Sequence, residues 1–253
     1  MHTGRPCITV ITVVRNAENS IEKCIESVIS QNIKNIEYII IDGQSTDNTL
    51  NIIERYKSNI THLISEPDNG LYDAMNKGLS LATGEFIHFL NADDRYFNEK
   101  VLSFFIPQLK SSTISYGQML YVEVDGKTQK QGKPFNWKRE LQGSRVPQMA
   151  LFAPLECYQA VGFFDTSLRI AADYDMLLRL AQKFHVDFIP APVSIMHAGG
   201  ISYQRPDLAF KESLIVSRRY GRSYLGSLGD FFLKHLKWFI FKKTTNFMKF
   251  MKS

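Results

Sequence analysis

Glu85-Phe86-Ile87-His88-Phe89-Leu90-Asn91-Ala92-Asp93-Asp94 joins an apolar run, which predicts a buried strand, to two adjacent carboxylates at the end of that strand. Carboxylates at the end of a buried strand are costly unless water or a cation stabilises them. Mg²⁺ and Mn²⁺ are often held by one or two carboxylates together with substrate phosphates. The stretch therefore predicts either a metal–diphosphate site or a solvated loop in which Asp94 caps the next helix.

The residues before this stretch alternate between strand and helix patterns. Strands are predicted over residues 7–14, 37–41 and 60–65, and helices follow Ser20, Thr49 and Gly70. This alternation, with short loops, predicts an α/β fold in which helices cover both faces of a mostly parallel sheet. Ligands of such sheets bind beyond the carboxyl ends of the strands. Asp42, Glu66 and Asp93 follow three of these ends, which favours a binding site there.

The second half of the chain is less regular. The pattern predicts a hairpin over 113–131, a loop over 133–147, a helix through 174–181 and a strand over 186–189 that ends at Pro190. We find no DNA- or RNA-binding motif, and the three widely spaced cysteines form neither a zinc nor a disulfide pattern. We find neither a secretory leader nor a membrane-spanning apolar run, so we expect a cytoplasmic protein.

The C-terminal tail is strongly basic. From Arg205 onward, 11 Lys and Arg residues against 3 Asp and Glu give a charge of +8, which leaves −3 for the rest of a chain whose net charge is +5. On a helix over 228–252, Phe232, Leu233 and Leu236 share an apolar arc, and most lysines lie on the other side. This composition is typical of a helix at a membrane surface; a helix packed on the body, or on a second copy, is the alternative.

Four motifs follow one another across the first hundred residues: Val10–Asn16, Ile40–Asp47, Asp68–Gly70 with Met75–Gly78, and Gly84–Asp94. Together they resemble the family 2 glycosyltransferases with the GT-A fold, the inverting enzymes of bacterial polysaccharide assembly. Residues 162–165, 172–175 and 197–202 match the family more loosely. The resemblance implies a GT-A catalytic domain over 1–204, with a nucleotide-sugar-binding half (1–110) and an acceptor-binding half (111–204), followed by a helical extension over 205–253.

The resemblance also implies a nucleotide-diphosphate sugar donor, most often UDP-linked, and a glycan or polyprenyl-linked acceptor at the inner face of the bacterial plasma membrane. Donor contacts would come from Thr12, Asn16, Asp42, Asn69, Asn91, Asp93 and His197. Asp93 and His197 would hold Mg²⁺ or Mn²⁺, and Asp173 would be the catalytic base. Asn91 and Ala172 depart from the family pattern, because Asp-x-Asp and a Glu-Asp pair are usual at these two places.

Several readings stay open on the residues alone. Asp42 also fits a turn residue before Gly43, and His197 also fits a structural histidine. Asp175 competes with Asp173 for the role of base, although an exposed helix residue is the simpler interpretation. A sugar-nucleotidyltransferase of related fold would need a glycine-rich basic loop after the first strand, which Val14–Glu18 lacks; a non-catalytic nucleotide-sugar-binding protein is the other alternative. A dehydrogenase is excluded because no G-x-G-x-x-G follows that strand.

Overall fold

The computed structural model describes residues 6–123 and 125–250. The strands within these ranges are β1 (Ile8–Val14), β2 (Ile36–Asp42), β3 (His62–Ser65), β4 (Phe86–Phe89), β5 (Arg95–Tyr96), β6 (Thr113–Val122), β7 (Thr128–Gln131), β8 (Leu151–Pro154) and β9 (His185–His197). The helices within the same ranges are α1 (Ile21–Ile29), α2 (Thr49–Glu54), α3 (Leu71–Leu81), α4 (Val101–Phe105), α5 (Trp137–Glu140), α6 (Leu155–Val161), α7 (Ala172–Lys183), α8 (Ile201–Gln204), α9 (Pro206–Arg219) and α10 (Tyr224–Phe250).

These strands form one mixed sheet in the order β3-β2-β1-β4-β8-β6-β9-β5, and β7 pairs with β6 beside it. β1, β2, β3 and β4 are mutually parallel, β6 and β9 are parallel, and β8 runs antiparallel between β4 and β6. Val14 pairs with Asp42 and Ile11 with Phe89. The carboxyl ends of β1, β2 and β4 therefore lie at one edge, and the prediction of a mostly parallel α/β fold is confirmed.

The core lies on both sides of β1. All seven residues of this strand are buried, so both faces of the sheet are covered, as expected for parallel strands. Helix α3 packs closely on it: a Cβ added at Gly78 would lie 2.5 Å from Cγ2 of Ile11. This close approach fixes the helix that follows the Asp68–Gly70 loop against the centre of the sheet.

The predicted hairpin and the helix through 174–181 are confirmed, but the predicted end of the last strand is wrong. β9 continues through Pro190 and Pro192 to His197 instead of ending at Ile189. Its pairing with β6 shifts register around Gln118, opposite the prolines. An irregular stretch of ladder tolerates proline because the missing N–H is not needed there. Sequence also missed the short β5 and β8, which have no periodic pattern of their own.

The C-terminal helices begin with a segment fixed to the body. The Arg219 guanidinium of α9 lies 2.8 Å from Asp165 and 3.2 Å from Asp175. In α10, His235 packs edge-on against Phe210 of α9 with 4.9 Å between ring centroids. The predicted boundary at residue 204 stays a prediction, but α9 is packed on the body of the protein. Within the described ranges, no helix has the length and apolar character required to cross a bilayer.

Candidate active site

A cavity of about 760 Å³ opens at the carboxyl ends of β1 and β4. Its wall combines the residues after β1, the turn after β4, the loop before β8, the start of α7 and the segment after β9. The charged side chains in this wall are Arg15, Asp68, Asp93, Arg145 and Asp173. This position agrees with the rule for ligand binding in open α/β sheets, so the cavity is the candidate active site.

The turn after β4 directs Asp93 into this cavity. The Leu90 amide donates to the carbonyl of Ile11 at 3.0 Å, and the Asp94 amide closes the turn on the carbonyl of Asn91 at 3.0 Å. Ala92 is buried, whereas Asp93 is exposed and lines the cavity. The turn thus presents the carboxylate of Asp93 to the cavity.

Asp94 points the other way. It is 2% exposed, and neither of its carboxylate oxygens has a hydrogen-bond partner among the described residues. Burial and the neighbouring charge of Asp93 raise the pKa of Asp94 well above its ordinary value. The alternative in which Asp94 caps the next helix is wrong, because the two-residue strand β5, and not a helix, follows Asp94.

The oxygen atoms at this turn fit a divalent cation that is held mainly by the phosphates of a bound substrate. Asp93 supplies a single carboxylate, and in the described part of the chain no three His, Cys, Asp or Glu side chains converge on one point. Asn91 lines the cavity, and its Oδ1 is buried without a partner. Since Mg²⁺ sites often use one carboxylate plus substrate phosphates, these two side chains fit such an ion only when a phosphate ligand completes its shell.

Asp173 lies in the first turn of α7 and lines the same cavity. The hydroxyl of buried Tyr72 lies 3.1 Å from its Oδ1 and 2.6 Å from the carbonyl oxygen of Ile170. That hydroxyl has one proton, so the two acceptors share a single donor. Desolvation is the main cause that raises the pKa of Asp173. A raised pKa makes this carboxylate a better base than an ordinary aspartate.

Asp175 is a structural residue and not the exposed helix position that was predicted. It is 3% exposed and accepts from Arg179 Nε at 2.9 Å, Arg219 Nη1 at 3.2 Å and the Tyr220 hydroxyl at 3.1 Å. These contacts tie α7 to α9. Because neither Asp175 nor these three partners line the described cavity wall, Asp173 and not Asp175 fits the role of base.

Of the predicted donor contacts, Asn16, Asn91 and Asp93 line the cavity. Asn16 has a positive φ of 51°, and its Oδ1 accepts the Thr46 amide at 2.8 Å. The backbone amide of Asn16 donates to Ser45 Oγ at 2.8 Å. Asn16 therefore shapes the loop after β2 as well as the cavity wall.

The structure does not bring Thr12 and Asp42 to the described cavity wall. The Thr12 hydroxyl lies 3.2 Å from the Tyr38 hydroxyl in the core, while its neighbours Val13 and Val14 line the cavity. Asp42 is fully buried and accepts from Ser45 Oγ at 2.5 Å and Ser65 Oγ at 2.6 Å. The turn interpretation of Asp42 accounts for these contacts, because its carboxylate organises the loop between β2 and α2.

Asn69 and His197 are likewise absent from the described wall. Asn69 is exposed, and its amide donates to Asp73 Oδ2 at 3.0 Å. Its neighbour Asp68 lines the cavity instead. His197 is exposed at the end of β9, while Met196 and Gly199 line the cavity. Strand alternation explains the difference between Met196 and His197, since successive side chains of β9 point to opposite faces.

Sequence reasoning missed Arg145 and Tyr72. Arg145 lies in the loop before β8, within the stretch 133–147 for which the sequence predicts only a loop. Tyr72 is 101 positions from Asp173, and it reads locally as an apolar core position of α3. Only a fold that juxtaposes α3 and α7 reveals the contact.

Comparison with known proteins gives a family match. A family model described as "Glycosyl transferase family 2" matches residues 9–164. A protein named PGL/p-HBAD biosynthesis glycosyltransferase, from Mycobacterium bovis, is 28% identical over 85% of this chain and 87% of its own length. Thus the sequence similarity extends well past the matched residues.

Two solved structures have a similar fold. S. aureus TarS 1-349 in complex with UDP superposes with a TM-score of 0.64 and 20% identity, over 84% of this chain and 64% of that one. The mannosyltransferase PcManGT from Pyrobaculum calidifontis, in complex with GDP-Man and Mn²⁺, gives a TM-score of 0.65 and 19% identity over 90% and 68%. At this identity the likeness concerns the fold.

Proposed function

This chain belongs to glycosyl transferase family 2 and has the GT-A fold, and we propose that it transfers a sugar from a UDP-sugar, with inversion, to a hydroxyl of a glycan or lipid-linked glycan. The observation that carries the proposal is that Asp173, with its raised pKa, and Asp93 line one cavity. An acid–base group and a diphosphate-side carboxylate are the two elements that such a transfer requires.

In the proposed reaction Asp173 accepts the proton of the acceptor hydroxyl. The oxygen of that hydroxyl forms a bond to the anomeric carbon of the donor sugar, on the face opposite the diphosphate. The bond from the anomeric carbon to the diphosphate oxygen breaks, and its electron pair leaves with the nucleoside diphosphate. Tyr72 orients Asp173 through the contact at 3.1 Å. Holding the two reactants in line supplies much of the acceleration.

On the diphosphate side, Asp93 and Asn91 would hold Mg²⁺ or Mn²⁺. When bound, such an ion neutralises charge on the leaving diphosphate. Arg15 and Arg145 line the cavity, and both side chains are exposed. Guanidinium groups match phosphate geometry with paired donors. A site with one carboxylate in place of two holds its cation more weakly, so the diphosphate needs positive charge from elsewhere. We propose that these two arginines supply it.

A panel of nucleotide sugars tests the donor. In thermal unfolding with Mn²⁺, we expect UDP-sugars to raise the melting temperature, since a ligand at one hundred times its Kd stabilises by about 2.7 kcal/mol. GDP- and dTDP-sugars at the same concentration are the controls. A larger shift with either of them would correct the nucleotide, and no shift with any nucleotide sugar would contradict the proposed function.

We also propose that α10 docks on an anionic membrane surface. Its side chains Leu225, Phe232, Leu233 and Leu236 are 80%, 65%, 55% and 55% exposed and follow one another at helical spacing. The opposite side faces the body: Lys234 is partly buried by Gly143, and desolvation lowers its pKa. An exposed apolar stripe within a tail of charge +8 suits anionic lipid. In the predicted pattern, residue 237 and the residues from 239 onward lie outside the described side chains.

Vesicle co-sedimentation tests this surface. Replacing Phe232, Leu233 and Leu236 by serine is expected to lower binding to phosphatidylglycerol-containing vesicles at least about tenfold, given the free energy of burying large apolar side chains. Phe104→Ser, which removes a 51% exposed phenylalanine from α4, is the matched control and should bind like the parent. Undiminished binding of the triple variant would rule out the stripe as the membrane-binding surface. If the parent sediments as a dimer and the triple variant as a monomer, the stripe binds a second copy of the chain instead.

A further inference from the structure

Glu212 belongs to α9. Its buried carboxylate contacts the backbone at the start of α7, the helix that carries Asp173. Glu212 is 5% exposed. Its Oε1 accepts the amide of Arg169 at 2.9 Å, and its Oε2 accepts the amides of Ile170 at 2.8 Å and Ala171 at 3.0 Å. Both oxygens therefore accept hydrogen bonds from the backbone that leads into α7.

One of these contacts lies at the N-cap position of α7, and the other two hold the segment that precedes the helix. The residue at the N-cap position is Ala171, which has no side-chain oxygen, and no side-chain cap forms there. Unpaired amide groups at a helix start need an acceptor. Glu212 supplies one for the Ala171 amide, from a helix about forty residues further along the chain and outside the stretch matched by the family model.

The same segment is held from its other side by α3. The Tyr72 hydroxyl donates to the carbonyl of Ile170 at 2.6 Å, while Glu212 accepts the Ile170 amide. Ile170 lines the cavity, and Asp173 follows three residues later in the first helical turn. A shift of this clamped segment would move the Asp173 carboxylate with it.

The charge of Glu212 also acts on Asp173. The Tyr72 hydroxyl of α3 lies 3.1 Å from Asp173 Oδ1, and Glu212 of α9 acts on Asp173 through its charge. Arg169, in the same segment, turns its guanidinium to the carbonyl of Asn69. Across the cavity lie Arg15, Asp68, Asp93 and Arg145. Desolvation contributes most to the raised pKa of Asp173, and the negative charge of Glu212 adds to it, whereas hydrogen bonds from the Tyr174 amide and Tyr72 oppose it.

We propose that Glu212 is a positioning residue for the catalytic base: it fixes the backbone that places Asp173 in the cavity and keeps a negative charge beside it. The inference rests on the proposed function in one respect, namely that Asp173 is the base. It makes α9, the first helix of the basic extension, a part of the catalytic centre.

Direct titration of Asp173 separates this inference from the proposed function, because it needs no substrate. In protein with ¹³C-labelled aspartate carboxyls, the Asp173 resonance is assigned by its loss in Asp173→Asn and followed against pH. Glu212→Gln keeps an oxygen acceptor but removes the charge, so the midpoint of Asp173 should move to lower pH. Asp207→Asn removes an exposed carboxylate from the same helix, and it should leave the midpoint in place.

Hydrolysis of UDP-glucose and UDP-N-acetylglucosamine, with water as acceptor, tests the positional effect. Glu212→Ala is expected to lower kcat about 100-fold with little change in KM, since small misplacements of a reacting group have costs of that size. Glu212→Gln should lose less, and the acid limb of its kcat profile should move to lower pH. An unmoved Asp173 midpoint in folded Glu212→Gln would overturn the inference. If the parent hydrolyses neither compound, the UDP donor is contradicted while the titration still decides the role of Glu212.

Discussion

Replacing Asp173 by asparagine is expected to lower kcat for transfer by about 10²- to 10⁴-fold, the usual contribution of a general base. The amide cannot take the acceptor proton, although it can keep the contact with Tyr72. Because a base must be deprotonated to act, activity of the parent should rise with pH through the raised pKa of Asp173. The variant should lose that acid limb. Initial rates across pH, together with the UDP-induced thermal shift, provide the measurement.

Asp175→Asn is the matched control, two positions along the same helix. Asp175 binds Arg179 and Arg219, whose side chains are 22% and 42% exposed. Losing these charge-assisted contacts should cost roughly 2 kcal/mol of unfolding free energy, less than for a fully buried pair, and should leave kcat within a fewfold of the parent. Equal activity of Asp173→Asn and the parent would remove Asp173 from the mechanism, and equal kcat losses in both variants would assign the effect to the helix.

Asp93→Asn is expected to lower kcat/KM with UDP-sugar roughly 10²- to 10³-fold, because the cavity loses its one carboxylate at the turn after β4 and with it several kcal/mol of charge stabilisation. The Mn²⁺-dependent part of the UDP-induced thermal shift should largely disappear. Thermal unfolding with UDP, with and without Mn²⁺, separates this part from the contacts that need no metal.

Asn91→Asp provides the reciprocal change. The partnerless Oδ1 of Asn91 becomes a carboxylate oxygen next to Asp93, so the protein without ligand should lose stability while Mn²⁺ with UDP restores it. The Mn²⁺-dependent shift should therefore exceed that of the parent. An unchanged or smaller Mn²⁺-dependent thermal shift in Asn91→Asp would show that Asn91 does not face the cation. For the preceding variant, normal activity of Asp93→Asn would exclude this turn as the metal-binding element.

How far the sequence predicts this molecule depends on the range of the interactions. Strands β1 to β4 and their helices follow from local periodicity, and the turn with Asp93 follows from its place after a buried strand. The side-chain directions of Thr12 and His197 depend on strand register, which periodicity alone did not settle. The resemblance predicts that Asp42 contacts the donor, but in the structure its carboxylate accepts hydrogen bonds from the Ser45 and Ser65 hydroxyls. The contacts of Asp173 span 101 positions to Tyr72, so only the assembled fold contains them.

The hydroxyl of Tyr72 has a practical consequence for chimaeric enzymes. It belongs to the segment expected to bind the donor, yet it donates to the backbone beside Asp173 on the acceptor side. An exchange of the first hundred residues with those of a relative, intended to change the donor, would also exchange the side chain that orients the base. In such hybrids, α3, the segment 169–173 and α9 should therefore come from the same parent protein.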